Sequence, residues 1–315
     1  MAEHAAYFAD EKARRIYMTK NIIKKVLIYL FLTIFALFLL APFVLMIAGS
    51  FVEPESFKQF SLSAKFEYLA FTPQNWGFTN YKEVFKTTYI DPLTQKEIVK
   101  AGNNFPVFFL NTFIVAIGST TVTVVTAVLA AFAFARLEFK GKEVLFAVLL
   151  GTMMIPGEMM VITNYMTVRQ INWMNTFAAL ILVHGVSVFY VFYLRQTFQQ
   201  IPNELYLAAK VDGTSDLKYL WKVMIPLALP TLISITILKM MGSWNAYIWP
   251  RLVANDGYHS LITNGLRNSF TDTSGDVNYP VQMAAVALVS LPLFLVFIFL
   301  RKYIMKGVSR SGIKG

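Results

Sequence analysis

The stretch PNELYLAAKVDGTSDLKYLW, Pro202 to Trp221, lies between two long apolar runs. It is more structured than a connecting loop needs to be. Pro202 suits the first turn of a helix, where its missing N–H costs least. Leu205, Ala208, Ala209 and Val211 follow at near-helical spacing. Asp212-Gly213 is a turn signal, and Gly213 can take positive φ as a helix stop. Thr214 or Ser215 can cap a second helix, to which Leu217, Leu220 and Trp221 give an apolar face. Two short helices at an angle fit either a docking knob for a partner protein or an interfacial pair lying on lipid headgroups.

The surrounding runs settle the class. The chain has 315 residues, 56% of them hydrophobic and 15% charged, too apolar for a soluble globule of this length. With no cysteine there is no disulfide framework and no thiolate metal site. His4, His184 and His259 are scattered, so no metal site is expected. Uncharged runs extend over 26–52, 101–135, 144–157, 170–194, 223–238 and 277–300. A span takes about 20 residues. The third and fifth runs reach that length past a single charge each, Glu158 and Lys239. Six transmembrane helices of an all-α membrane protein are expected. The first is expected to be a retained anchor, because its apolar run is too long for a secretory leader.

Positive charge orients the bundle. Segments 1–25, 136–143, 194–222 and 301–315 carry 18 Lys and Arg, and the alternate segments carry nine. The basic side also holds the whole net charge of +10. It is expected to be cytoplasmic, with both termini and the 201–222 loop. The basic excess therefore marks topology; no basic patch interleaved with aromatics points to nucleic acid. Three parts are expected: a cytoplasmic segment 1–25, a first span with a long external loop over 26–104, and a core of five spans over 105–315. The tail 301–315 is cytoplasmic.

The residues Leu207-Ala208-Ala209-Lys210-Val211-Asp212-Gly213, followed by IPLALP, resemble the E-A-A-x-x-x-G loop of ATP-binding cassette importer permeases. NTFIVA at 111–116, AFAFARLEFKGK at 131–142, MMIPGE at 153–158, YLRQTFQQIPNEL at 193–205 and SWNAYIWP at 243–250 are similar to the sugar-importer branch, the maltose-type partner permease. The match runs in order from about Asn111 to the end. It implies a type I importer permease fold, with a coupling helix between the fourth and fifth spans. It further implies a second permease subunit, two cytoplasmic ATPase subunits and an extracytoplasmic solute-binding protein. The setting it implies is a bacterial or archaeal cell (inner) membrane. ATP and Mg would bind the ATPase subunits, and this chain would bind no cofactor of its own. The ATPase contact would fall on Glu204, Leu207, Ala208, Ala209, Asp212 and Gly213, with Lys314 and Gly315 of the tail. The motif's usual first glutamate is Leu207 here; Glu204, one turn earlier, is the nearest acid.

Further residues have two readings each. Trp244, Asn245 and Tyr247 near the end of the fifth span, with Tyr190 in the fourth, suit a sugar, which offers an apolar face and many hydroxyls; Trp244 equally suits an interface anchor. Met153 to Gly157 breaks the third span, as a plain kink or beside a substrate path. At 1.5 Å per residue, Glu158 and Lys239 reach about the same depth. They are expected to form an ion pair or to share one aqueous cavity.

The resulting function is ATP-driven import of an oligosaccharide or other carbohydrate by alternating access. An ion-gradient transporter fits less well, having few ionisable groups in the spans and no inverted repeat. A membrane enzyme fits less well too: no nucleophile–base pair, acid pair or metal-ligand set lies at a useful spacing. No phosphate-binding G-x-x-x-x-G-K-[ST] string occurs.

Overall fold

The computed structural model describes residues 11–53, 55–57, 76–86, 88–90, 97–99, 104–268 and 278–309. The architecture is built round α3 (Phe105–Arg136). Pro106 stands in its first turn, and an extended Leu137 ends it. Its buried face is small and hydroxylated: Ser119, Thr120, Thr123, Ala127 and Ala131. Small residues let helices approach closely where lipid supplies no hydrophobic drive between them. Two partners use that face, α7 (Val188–Gln199) and α11 (Leu229–Trp244).

At the periphery, α1 (Glu11–Phe51) turns an almost wholly exposed apolar surface outward. Only its last turn is held, where Ala48 and Ser50 are buried and Gly49 approaches the Met283 sulfur of α14 (Tyr279–Ser309). The segment that follows docks α2 (Thr79–Phe85) against this end. Asn80 Nδ2 donates to Ser50 O at 2.8 Å and to Val52 O at 2.7 Å. Phe51 packs on Trp76, Phe78 and Tyr81. After α2, two short strands pair antiparallel, β1 (Thr88–Ile90) and β2 (Glu97–Val99).

Among the described residues, three helices are long and apolar enough to cross a membrane: 17–51, 105–136 and 279–299. Two bent helix pairs reach that length and apolarity when each pair is taken as one unit. The first joins α4 (Lys142–Thr152) to a 3-10 turn and α5 (Met160–Gln170) through a 76° bend. It breaks at Met153–Pro156, where the Met-Pro-Gly run predicts a break. The second bend, 83°, separates 216–227 from α11 at Pro226 and Pro230. The expected fourth span, 170–194, is not one helix. It consists of α6 (Phe177–Ile181), an irregular stretch 182–187, and α7. Gly185 sets this break: a Cβ there would lie 2.7 Å from Val122 Cγ1 and 3.0 Å from Leu182 O. The chain therefore passes against α3 with no room for a side chain. Hydroxyls of α3 satisfy the freed carbonyls, as membrane burial demands. Thr123 donates to His184 O at 3.3 Å and Thr126 to Gly185 O at 3.0 Å.

Candidate functional site

Two places combine exposure with built geometry. The first is the elbow formed by α8 (Asn203–Val211), a four-residue turn and α9 (Asp216–Tyr219). Pro202 precedes α8 with extended backbone rather than occupying its first turn. The helix closes as a Schellman motif: Thr214 N donates to Ala209 O at 2.8 Å and Gly213 N to Lys210 O at 3.0 Å. Gly213 has φ +70°, the conformation its position predicts. Asp216 locks the two helices together. It accepts from Tyr206 Oη at 2.7 Å and pairs with Lys210 Nζ at 2.7 Å. Hydrogen bonds from Lys210 and Tyr206 lower the Asp216 pKa, and the Asp216 bond raises that of Lys210. Partial burial, with the Asp216 bond, raises that of Tyr206.

Two arginines tie together the helices from which the elbow projects. Arg136, at the end of α3, donates to Phe198 O and Ile201 O, the last carbonyls before α8. A cation at a helix C-terminus also answers the helix dipole. Arg195 is buried over the Phe146 ring, donates to Phe134 O at 3.2 Å, and meets both oxygens of Glu143 at 3.0 and 3.1 Å.

The outward side of the elbow is apolar. Leu207 is 55% exposed, Val211 89%, Leu217 60% and Trp221 63%. Glu204, Ala208, Asp212 and Gly213 are exposed on the same elbow. Ala209 corrects the expectation of a paired Ala208–Ala209 surface. It is half-buried and packs on the core cluster with Tyr206, three residues earlier on the inward face. Leu220 likewise turns inward and is fully buried, so the expected face of α9 is split. Lys314 and Gly315 lie outside the described residues.

The second place is a cavity of about 410 Å³ at the break between α6 and α7. Its polar lining is Ser119, His184, Ser187, Tyr190, Lys239 and Ser243, with Trp249 among its apolar walls. Of the four residues expected near a substrate, only Tyr190 lines it. Trp244 is 1% exposed and sits edge-on to Phe109, centroids 5.6 Å apart. Asn245 donates to Met241 O at 3.0 Å, and Tyr247 receives Arg251. Their neighbours Gly242, Ser243 and Ala246 face the cavity instead. The helix ends at Trp244, and the chain's turn there reassigns the faces.

The expected ion pair between Glu158 and Lys239 is not formed. Lys239 Nζ donates to His184 O at 3.3 Å, and Glu158, exposed on the 3-10 turn, does not line the Lys239 cavity. Equal depth along straight helices brought them together on paper; bends of 76° and 83° separate the two paths.

The fold has counterparts. Residues 16–310 match the family described as binding-protein-dependent transport system inner membrane component. The chain belongs to that family. It is the membrane-spanning permease component of an ATP-binding cassette importer, multi-pass by its apolar helices. It is 27% identical to the polygalacturonan/rhamnogalacturonan transport system permease protein YtcP of Bacillus subtilis, over 94% of this chain and all of that one. It is also 27% identical to the trehalose/maltose transport system permease protein MalG of Thermococcus litoralis, over 95% of this chain and all of that one. A solved bacterial ABC transporter involved in the import of the acidic polysaccharide alginate shares the fold. Its TM-score is 0.76 at 22% identity, over 90% of this chain and 97% of that one.

Proposed function

We propose that this permease carries an oligosaccharide or related carbohydrate inward by alternating access, and that the elbow is its coupling element. The observation that carries the coupling role is the contrast within residues 201–221. The elbow's base is held at Ile201 O by Arg136, while the elbow leaves Leu207, Val211, Leu217 and Trp221 exposed. Large apolar side chains left exposed together on one short element suit a protein contact. A stiff, apolar, anchored contact transmits a displacement that a flexible loop would absorb. The partner is a pair of cytoplasmic ATPase subunits, which bind ATP and Mg; this chain supplies no ATPase site. A second permease subunit completes the pathway, and an extracytoplasmic solute-binding protein delivers the sugar. Both termini are cytoplasmic on the distribution of positive charge, and Lys314 and Gly315 reach the ATPase subunits from there. The carbohydrate assignment draws on the relatives, whose names specify polygalacturonan, rhamnogalacturonan, trehalose and maltose.

The test is co-purification of the four-subunit complex and its ATP hydrolysis in lipid. Stimulation by a saccharide and its binding protein is the expected result. A permease that purifies without any ATPase subunit, and transports on an ion gradient alone, would overturn the reading.

A further inference from the structure

We propose that the Lys239 cavity is a carboxylate subsite, reading the charged group of a uronic-acid unit; this rests on the reading of the chain as a carbohydrate-importing permease.

An ammonium group inside a membrane bundle is costly unless paired, wet or snorkelling. Lys239 is half-buried and donates to a carbonyl, His184 O, at 3.3 Å. A carbonyl supplies a dipole and no countercharge. Among the described residues, no Asp or Glu lines the cavity. The nearest expected acid, Glu158, is on another turn, outside it.

The break in the fourth crossing adds to the positive field. It starts α7, a twelve-residue helix, at the cavity wall, with Ser187 and Tyr190 of its first turn in the lining. The N-terminal end of a helix carries partial positive charge and unbonded N–H groups. Broken helices in transporters direct such ends at anionic parts of a substrate. Ser187, at the N-cap of α7, makes no capping hydrogen bond with its side chain and lines the cavity.

These features select among ligands. One ammonium and the partial positive charge of one helix end favour an anionic group on the ligand. A neutral sugar would leave Lys239 uncompensated as water is displaced. The hydroxyls of Ser119, Ser187 and Ser243 suit a polyol, and the walls of Tyr190 and Trp249 suit the apolar face of a sugar ring. The volume, about 410 Å³, falls within the roughly 300–1,000 Å³ of small-molecule sites. A monoanionic sugar unit, a uronate, meets all of these terms.

The experiment uses the complete reconstituted complex with its binding protein, and two probes: trigalacturonate and its fully methyl-esterified form. Acylation of Lys239 by an amine-reactive anhydride is read by peptide mass spectrometry. Trigalacturonate is expected to slow labelling at least ~10-fold, the range of one charge-assisted hydrogen bond, and the ester to leave it unchanged. ATP hydrolysis is measured in parallel. Lys239→Met should cut the acid-to-ester ratio of stimulation at least ~10-fold; Lys239→Arg should keep it, as should Arg251→Gln outside the cavity. Equal protection by both probes, protection by neither, or an unchanged ratio in Lys239→Met would overturn the proposal. The labelling arm needs no mutant, so a misfolded variant does not rescue the idea. Protection of Lys239 without saccharide-stimulated hydrolysis would sustain the carboxylate site and sink the transport reading. Stimulated hydrolysis without protection would do the reverse.

Discussion

The elbow and the cavity are built in opposite ways. Residues 203–219 of the elbow are contiguous, and every bond that shapes it is local: Thr214 to Ala209, Gly213 to Lys210, Tyr206 to Asp216. The cavity draws Ser119 from α3, His184 to Tyr190 from the break between α6 and α7, and Lys239 to Trp249 from α11 and the chain that follows it. The elbow's shape therefore depends on backbone chemistry at a few positions, and the cavity's on how closely three crossings pack. Substitutions in the two regions should fail differently.

The largest effect is expected at Gly213. Its φ of +70° suits glycine, and a valine there costs roughly 1–3 kcal/mol. A Cβ at Gly213 meets nothing within 4 Å, so the cost is conformational and not steric. Gly213→Val should leave the protein inserted and the complex assembled, with hydrolysis uncoupled from transport. Gly213→Asn should retain most coupling, because asparagine tolerates this region. Normal saccharide-stimulated hydrolysis in Gly213→Val would break the elbow's side of the comparison.

Next comes the charge exchange, Glu158→Lys with Lys239→Glu. Uptake by each single variant and by the double variant forms a thermodynamic cycle. With the two groups unpaired and on different walls, the double variant should transport no better than the product of the single effects. Recovery beyond about threefold would reveal a coupling that bends of 76° and 83° argue against.

Sequence made the elbow legible because local chemistry governs it. Asp212-Gly213 announces a left-handed stop, and the structure supplies one. It misassigned Ala209 and Leu220 because a helix of nine residues leaves the inward face undetermined until Tyr206 and Tyr219 are packed. The third-span break was legible from Met153 to Gly157. The fourth-span break was not, because Gly185 among apolar residues reads as an ordinary helix position. Its meaning lies in the approach of Val122, 63 residues earlier in the chain. The cavity followed the same rule: Tyr190 was legible, whereas Trp249 and Trp244 exchanged roles at a turn that periodicity did not reveal.

A smaller effect is expected at Gly185. An added methyl would meet Val122 Cγ1 at 2.7 Å and the Leu182 carbonyl oxygen at 3.0 Å. The side chain can shift, but the carbonyl belongs to the break itself. Gly185→Ala should cost about 1–3 kcal/mol of overpacking, seen as a lower melting temperature in detergent. The elbow should be untouched, so hydrolysis should stay coupled in the variant that survives. A loss of coupling without a loss of stability would show that the two regions are not separate devices.

The smallest effect belongs to the Asp216 clamp, and its sign depends on pH. Hydrogen bonds from Lys210 and Tyr206 lower the Asp216 pKa in the folded state. Its contribution is therefore present above the unfolded value, about 4, and fades as pH falls through the folded value. The Lys210 pKa is raised, chiefly by its bond to Asp216, so that contribution is present below about 10.4 and fades as pH rises through the folded value. Tyr206, also raised, loses its part in the same alkaline direction. Between about pH 5 and pH 9 the clamp should be constant. The Lys210–Asp216 pair is partly open to water, where such pairs contribute little. Asp216→Asn keeps an acceptor for Tyr206 and removes the charge facing Lys210. It should therefore lower the melting temperature only slightly at pH 7, with the difference from the native protein shrinking as pH drops below about 4. A difference that grew on acidification would mean that Asp216 is protonated in the folded elbow, and that the clamp has been assigned the wrong charge.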